Sequence, residues 1–333
     1  MHIQAKSFTI SILRFLLIVI SLQFVSCQER DQVTVLKLAH GLDPSHSVHM
    51  GMVYMAERVY EKSEGQMRID VYPSGQLGSE RENLEMLQIG SLAITKVSAA
   101  AMEGFAPSYR VLGLPYIFVS REHSQRVFDG PVGREILQDG EKFWLRGLTF
   151  YDAGSRSFYT KDRPINHPDD LRGLKIRVMP SISAVNMVRV FGGSPTPISW
   201  GELYTALQGG VVDGAENNPP SFFLSHHYEV CRYYSLNEHT TIPDVLLVST
   251  KTWDRLTPQE QQWLQEAADE SAVVQRELWI ESEQHSLEMV KAAGVQVSYP
   301  DKQPFIDMVQ PLYEAYKQDE RLYDLIKKIQ ELQ

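Results

Sequence analysis

Residues 259–293 form a run of 35 that contains neither proline nor glycine, and Pro258 and Gly294 close it at either end. Trp263, Leu264, Ala267, Val274, Leu278, Leu287 and Val290 fall on one apolar stripe at helical spacing. At 1.5 Å per residue such a helix reaches roughly 50 Å, longer than one domain is wide. Either it is broken in a way the residues hide, or it bridges two domains. The clean Pro and Gly boundaries favour bridging.

Upstream, strand patterns at 33–39, 67–72 and 92–97 alternate with helical patterns at 47–61 and 80–89. That order predicts parallel pairing with helices covering the sheet. A second series follows Gly147, with strands at 148–153, 157–160 and 174–178 and helices at 181–191 and 200–207. Residues 243–249 then read as a buried strand. The reading is an α/β fold: a two-domain, periplasmic-binding-protein-like clamp with the long helix bridging both lobes. Domain I takes 33–153 and 243–280, and domain II takes 154–242 and 281–333. No internal repeat or low-complexity tract interrupts this plan.

Residues 8–25 carry only Arg14 as a charge, and their apolar centre, 15–20, is too short to span a bilayer. With Lys6 before it, this has the character of an export signal over 1–27. Phe24-Val25-Ser26-Cys27 resembles a bacterial lipobox, so Cys27 is expected to be lipidated; ordinary signal cleavage near the same point is the alternative. Either route places the mature protein outside the cytoplasm, in the periplasm, and the lipidated form would be anchored to a membrane through Cys27. Cys231 is then the one remaining thiol, without a disulfide partner, and its apolar setting predicts a core residue rather than a nucleophile.

A formal net charge of −10 argues against nucleic acid as a partner. It leaves room for a small anion, because a site can be positive on a negative protein. Signatures of common enzymes, such as G-x-S-x-G, H-E-x-x-H, the P-loop and G-x-G-x-x-G after a strand, are missing. Glu202 and Glu216 could pair as carboxylates, but nothing fixes their separation.

Arg177 is the sharpest binding candidate. Period two sets Lys175 and Arg177 opposite Leu174, Ile176 and Val178. Met179-Pro180-Ser181 ends the strand there, and open α/β sheets bind ligands at strand carboxyl ends. A guanidinium fork meets a carboxylate with two parallel hydrogen bonds. Arg156 follows another strand and is either a second cation or a surface loop charge. Ser98 is either a strand-end hydroxyl for the ligand or a plain turn serine. Of Asn217 and Asn218, one is expected to cap the helix that Pro219-Pro220 starts, leaving the other to face a cleft. Trp200 lies one helical turn from Tyr204 and either packs in the core or lines a pocket. His40, His46 and His49 cluster at the first strand–helix junction; helix capping or ligand contact is favoured over a metal site. His226-His227 reads as a solvated helix end.

Several motifs together resemble the solute-binding proteins of TRAP (tripartite ATP-independent periplasmic) transporters, of the DctP type. They are Leu171-Arg-Gly-Leu-Lys-Ile-Arg177-Val, Ser194-Pro-Thr-Pro197, Glu202-Leu-Tyr-Thr-Ala-Leu-Gln208, Val212-Asp-Gly-Ala-Glu-Asn217, Tyr72-Pro-Ser-Gly-Gln-Leu-Gly78 and Gly113-Leu-Pro-Tyr-Ile-Phe118. The likeness runs from Val33 to the final helix. It implies a hinged clamp with a ligand carboxylate on Arg177, Asn217 as the cleft asparagine, Arg156 as a secondary arginine and Trp200 as the cleft aromatic. It implies no cofactor, and membrane permease subunits as partners. Residues 41–49, which carry His46 and His49, and the Asn217-Asn218-Pro-Pro run depart from the common pattern.

The expected function is therefore non-enzymatic: capture of a small organic acid by hinge closure and its delivery to a permease. His46, Asp43, Glu216 and Asn218 offer many polar contacts beside one strong cation, which favours a sugar acid such as a hexuronate over a C4-dicarboxylate. The rivals from other classes are a periplasmic lyase or hydrolase using Glu216 and a histidine, and an adhesion or scaffold lipoprotein.

Overall fold

The computed structural model describes residues 33–333, so the export signal and Cys27 lie outside the described residues. Its strands are β1 (Thr34–Ala39), β2 (Met67–Tyr72), β3 (Ile94–Ser98), β4 (Leu145–Tyr151), β5 (Arg156–Thr160), β6 (Lys175–Val178), β7 (Ser194–Pro197), β8 (Gly214–Asn217), β9 (Tyr233–Thr240), β10 (Asp244–Ser249) and β11 (Gln296–Ser298). The helices are α1 (Ser47–Lys62), α2 (Glu80–Ile89), α3 (Ala99–Met102), α4 (Arg121–Asp129), α5 (Pro131–Asp139), α6 (Ile182–Val190), α7 (Leu203–Gln208), α8 (Pro219–Leu224), α9 (Thr250–Trp253), α10 (Pro258–Ala292), α11 (Gln303–Met308), α12 (Gln310–Tyr316) and α13 (Glu320–Gln330). None of these helices is long and apolar enough to cross a membrane.

Two sheets organise two lobes, ordered β2-β1-β3-β10-β4 and β11-β9-β5-β8-β6-β7. In the first, β1 and β3 pair in parallel, as their strand–helix–strand spacing predicts. The late strand β10 inserts antiparallel between β3 and β4. All six of its residues, Asp244–Ser249, are buried, as befits a strand covered on both faces. In the second sheet β6 runs parallel to β7 and β8, and β5 runs antiparallel to β8 and β9. The chain thus passes between sheets at 152–155 and again at 241–243.

The long helix α10 begins at a capping box: the Thr257 side chain accepts from Glu260 N–H while Glu260 receives the Thr257 N–H. Its first half, through Leu264, Ala267, Ala268 and Ala272, packs with Val48, Met52 and Met55 of α1 in the first lobe. Farther along, Leu287 and Val290 pack with Tyr159, Leu203 and Tyr234 of the second. Gly51 permits the close approach of α1, since a Cβ there would stand 2.8 Å from Gln275 Cβ. Gln275 also clips the first crossover: its Nε2 donates to Asp152 O (2.8 Å) and its Oε1 accepts from Asp152 N–H (2.9 Å).

The C-terminus departs from the expected division, which put all of 281–333 in the second lobe. Phe305 and Val309 do pack against Phe158, Ile176 and Val178 there. Helix α13 instead returns to the first lobe, where Leu322, Leu325, Ile326 and Ile329 join Leu112, Val127 and Ile136. Four apolar residues at helical spacing on an otherwise charged helix need a core, and the one within reach is the first lobe's.

Candidate functional site

A cleft of about 490 Å3 separates the lobes, lined from both sides and of a size that suits a small organic molecule. Arg177, Asn217, Arg156, Trp200, His46, Ser98 and Asn218 all line it, whereas Glu216 does not.

Arg177 comes from β6. The alternation that buries Ile176 and Val178 in one core turns its guanidinium the other way, towards the cleft. It is 2% exposed. Its Nε donates to Ile198 O at 2.9 Å, and its Cζ stands 6.0 Å from the centre of the Trp200 ring. Nη1 is buried with no hydrogen-bond partner. Burial weakens the guanidinium's hold on its proton, with Tyr159 and Glu216 opposing, yet an arginine stays charged. An unpaired buried donor costs free energy, so this one is poised for an acceptor.

Arg156 is occupied instead. Nε and Nη2 donate to Glu216 Oε2 (2.6 Å) and Oε1 (2.9 Å), Nη2 also to Glu216 O (2.8 Å), and Nη1 to Asn217 Oδ1 (2.6 Å). Four of its five N–H groups are therefore engaged, and at 5% exposed it is not the surface loop charge of the alternative reading. Burial alone would raise the Glu216 pKa, but Arg156 and His239 outweigh it and hold the carboxyl down to about 2. The expectation that Glu216 faces the cleft is not met, because β8 carries it inward to neutralise Arg156. Glu216 does approach a histidine, His239 Nε2 at 3.5 Å, but neither lines the cleft.

Asn217 and Asn218 divide the work as their position before Pro-Pro suggests. Asn218 Oδ1 accepts from Ser221 N–H and caps α8, while its Nδ2 donates to Ala153 O at the first crossover. Asn217 Oδ1 is fixed by Arg156 and by Asn218 N–H (2.9 Å), and Tyr234 OH holds its carbonyl. The hydrogen bonds of its side chain all fall on Oδ1, and the residue lines the cleft.

Trp200 opens a short turn, Trp200–Glu202, rather than a continuous helix to 207. Its ring stands edge-on to His227 at 5.3 Å. Of the two histidines read as a solvated end, only His226 is exposed. Its left-handed backbone (φ 58°) turns His227 inward, where Nδ1 meets Tyr159 OH at 2.9 Å and burial, then Arg177, lower its pKa to about 3. A Cβ on Gly41, in the first lobe, would lie 3.7 Å from Trp200 Cδ1, so this ring reaches the opposite wall.

On the first-lobe wall His46 is the N-cap of α1, its Nδ1 accepting from Val48 N–H at 3.2 Å. The ring is 3% exposed, and Nε2 is buried without a partner. Burial, then Lys96, lower its pKa to about 3. His40 Nε2 and His49 Nδ1 bond each other at 3.0 Å, and no group of three metal-ligating side chains occurs among the described residues. Ser98 caps α3, and its N–H donates to Glu80 Oε1 at 2.9 Å.

Beside them stand four cleft-lining charges absent from the sequence-based candidates, Glu80, Lys96, Asp244 and Arg81, the last paired with Glu85 at 3.0 Å. Lys96 Nζ is buried 3.2 Å from Asp244 Oδ1 and 3.6 Å from Glu80 Oε1. Burial raises both carboxyls, and Lys96 pulls each back. A lysine inside the apolar run 92–97 was the available signal, since lysine is almost never buried unless paired.

The family model described as bacterial extracellular solute-binding protein, family 7 (DctP), matches residues 38–319. An uncharacterized protein, YiiZ, of Salmonella typhimurium is 41% identical over 299 residues, covering 89% of this chain and 91% of its own. A TRAP periplasmic solute-binding protein from Bradyrhizobium sp., solved with alpha/beta-D-galacturonate, superposes with a TM-score of 0.87 at 40% identity, covering 89% of this chain and 99% of its own. Another, from Anaerococcus prevotii with D-glucuronate, gives 0.88 at 36% identity, covering 90% and 98%.

Proposed function

The chain belongs to family 7 of the bacterial extracellular solute-binding proteins, the TRAP solute-binding proteins, and from that premise we propose that its ligand is a hexuronate. It is a periplasmic binding protein rather than an enzyme. The observation that carries the ligand reading is Arg177, a buried cation with an unpartnered Nη1 on the wall of a cleft otherwise rich in hydroxyl-matching groups. A single carboxylate would take Arg177 and the amide of Asn217, with Trp200 against the ring. Hydroxyls would meet the first-lobe wall. Contacts to both walls exist together only when the lobes are close, so binding shifts the population towards the closed form. The closed form then presents the solute to the membrane permease of its transporter. The uronate-bound neighbours support this ligand class.

Calorimetric titration with D-glucuronate, D-galacturonate, succinate and malate tests the proposal. Tight binding of a uronate is expected, and tight binding of a C4-dicarboxylate alone would overturn it. Arg177→Ala should weaken uronate binding by about 2–5 kcal/mol with unchanged circular dichroism. We further propose export with lipidation at Cys27, on the lipobox-like run that ends there. The protein should then fractionate with membranes and Cys27→Ala should release it; a wild-type protein found wholly in the soluble fraction would refute the anchor.

A further inference from the structure

The two ends of the cleft differ in charge. At the second-lobe end Arg177 offers a cation that no carboxylate side chain pairs by a hydrogen bond, since Nε meets a backbone carbonyl and Nη1 meets nothing. At the first-lobe end Lys96 faces two carboxylates, Asp244 and Glu80. Both are cleft-lining, and the other cation on that wall, Arg81, is paired with Glu85 (Nε to Oε1, 3.0 Å), so that end holds no surplus positive charge. His46 adds none. Its Nδ1 accepts a backbone N–H, which places the proton of the neutral ring on Nε2. Nε2–H is therefore a fixed, uncharged donor, buried on the cleft wall and without a partner.

We propose that Lys96, Glu80, Asp244 and His46 form a hydroxyl-reading pole that makes the protein selective for monoanionic sugar acids and excludes their dianionic counterparts. The inference rests on the sugar-acid reading of the cleft and deepens it. A vicinal diol both donates and accepts: carboxylate oxygens of Asp244 and Glu80 take its protons, while Lys96 Nζ and His46 Nε2–H donate to its oxygens. A second carboxylate in the same place can only accept. It would set like charge against Asp244 and Glu80, and such juxtaposition is how interfaces reject wrong partners.

An aldarate carries a carboxylate at both ends but is open-chain where the uronate closes to a ring, so the matching aldonate, open-chain with a single carboxylate, is titrated beside each pair to separate charge from ring form. Titration of the full mature chain with D-glucuronate against D-glucarate, and D-galacturonate against galactarate, should show the uronate favoured by roughly 100-fold or more. In Asp244→Asn and Glu80→Gln, each checked for native circular dichroism, that ratio should shrink by about tenfold, mostly through tighter aldarate binding. Wild-type affinities for an aldarate within a few-fold of its uronate overturn the selective pole while leaving the sugar-acid reading intact. Failure of every sugar acid to bind overturns that reading and the inference together. A ratio unchanged in both variants shows that other groups set the selectivity and overturns the assignment to these residues.

Discussion

Arg156 engages four N–H groups with Glu216 and Asn217, while Arg177 keeps Nη1 free beside Trp200. The first arginine positions an amide, and the second is left to meet the ligand. Removing Glu216 would strand a buried charge, so Glu216→Leu should cost about 3–5 kcal/mol in urea denaturation and blunt ligand affinity by freeing Asn217. Its pKa is depressed from 4.5 to about 2 in the fold. The stability it adds is therefore fully present above pH 4.5 and lost as pH falls towards 2, amounting to about 3 kcal/mol. Unfolding midpoints between pH 5 and 2 should drop accordingly, and less so in Glu216→Gln. Cys231 is buried and free, its thiol pushed up to about 12 by burial. It should resist a disulfide reagent in the native protein and react on unfolding. Arg177 was legible in the sequence because, of the two charges that alternate with Leu174, Ile176 and Val178, it is the one next to the strand's carboxyl end. The roles of Glu216 and Lys96 were not, because each is fixed by a partner distant in sequence, 60 residues away for Arg156 and 148 for Asp244.

The long helix was readable to within one residue at each end, Pro258–Ala292 against 259–293, because Pro, Gly and a continuous stripe act locally. Strand β8 was not. Gly-Ala-Glu-Asn has no apolar alternation, yet all four residues are buried. It can occupy the sheet interior between β5 and β6 only because Arg156, on the neighbouring strand, neutralises Glu216. The short strands β7 and β11, of four and three residues, also escaped, their patterns too brief to separate from loop, and so did the helices α4 and α5. Within α10 the decisive contact is Gln275, which satisfies both backbone groups of Asp152. Gln275→Leu would leave them unpaired, a loss of about 1–3 kcal/mol for each buried group, readable as a lowered melting temperature. Gly51→Val should also destabilise, by about 1–3 kcal/mol, because its Cβ would meet Gln275 at 2.8 Å.

Across the whole molecule the polypeptide passes between lobes four times among the described residues: at 152–155, at 241–243, along α10, and between Val309 and α13. The two-lobed clamp with its shared helix was foreseen; the last passage was not, since it depends on which core α13 finds. Deleting 317–333 should uncover Leu112, Val127 and Ile136 and destabilise the first lobe, seen as dye binding to exposed apolar surface at neutral pH. A protein lacking that segment with an unchanged melting curve would contradict this packing. Two bodies tied by one thread can tumble and twist about each other, but several ties set side by side leave a single axle. The ties at 152–155 and 241–243 join adjacent strands of both sheets, and α10 clips the first through Gln275. Opening is then motion with one degree of freedom. Any pair of probes fixed across the cleft, wherever they are attached, should report the same rate constant.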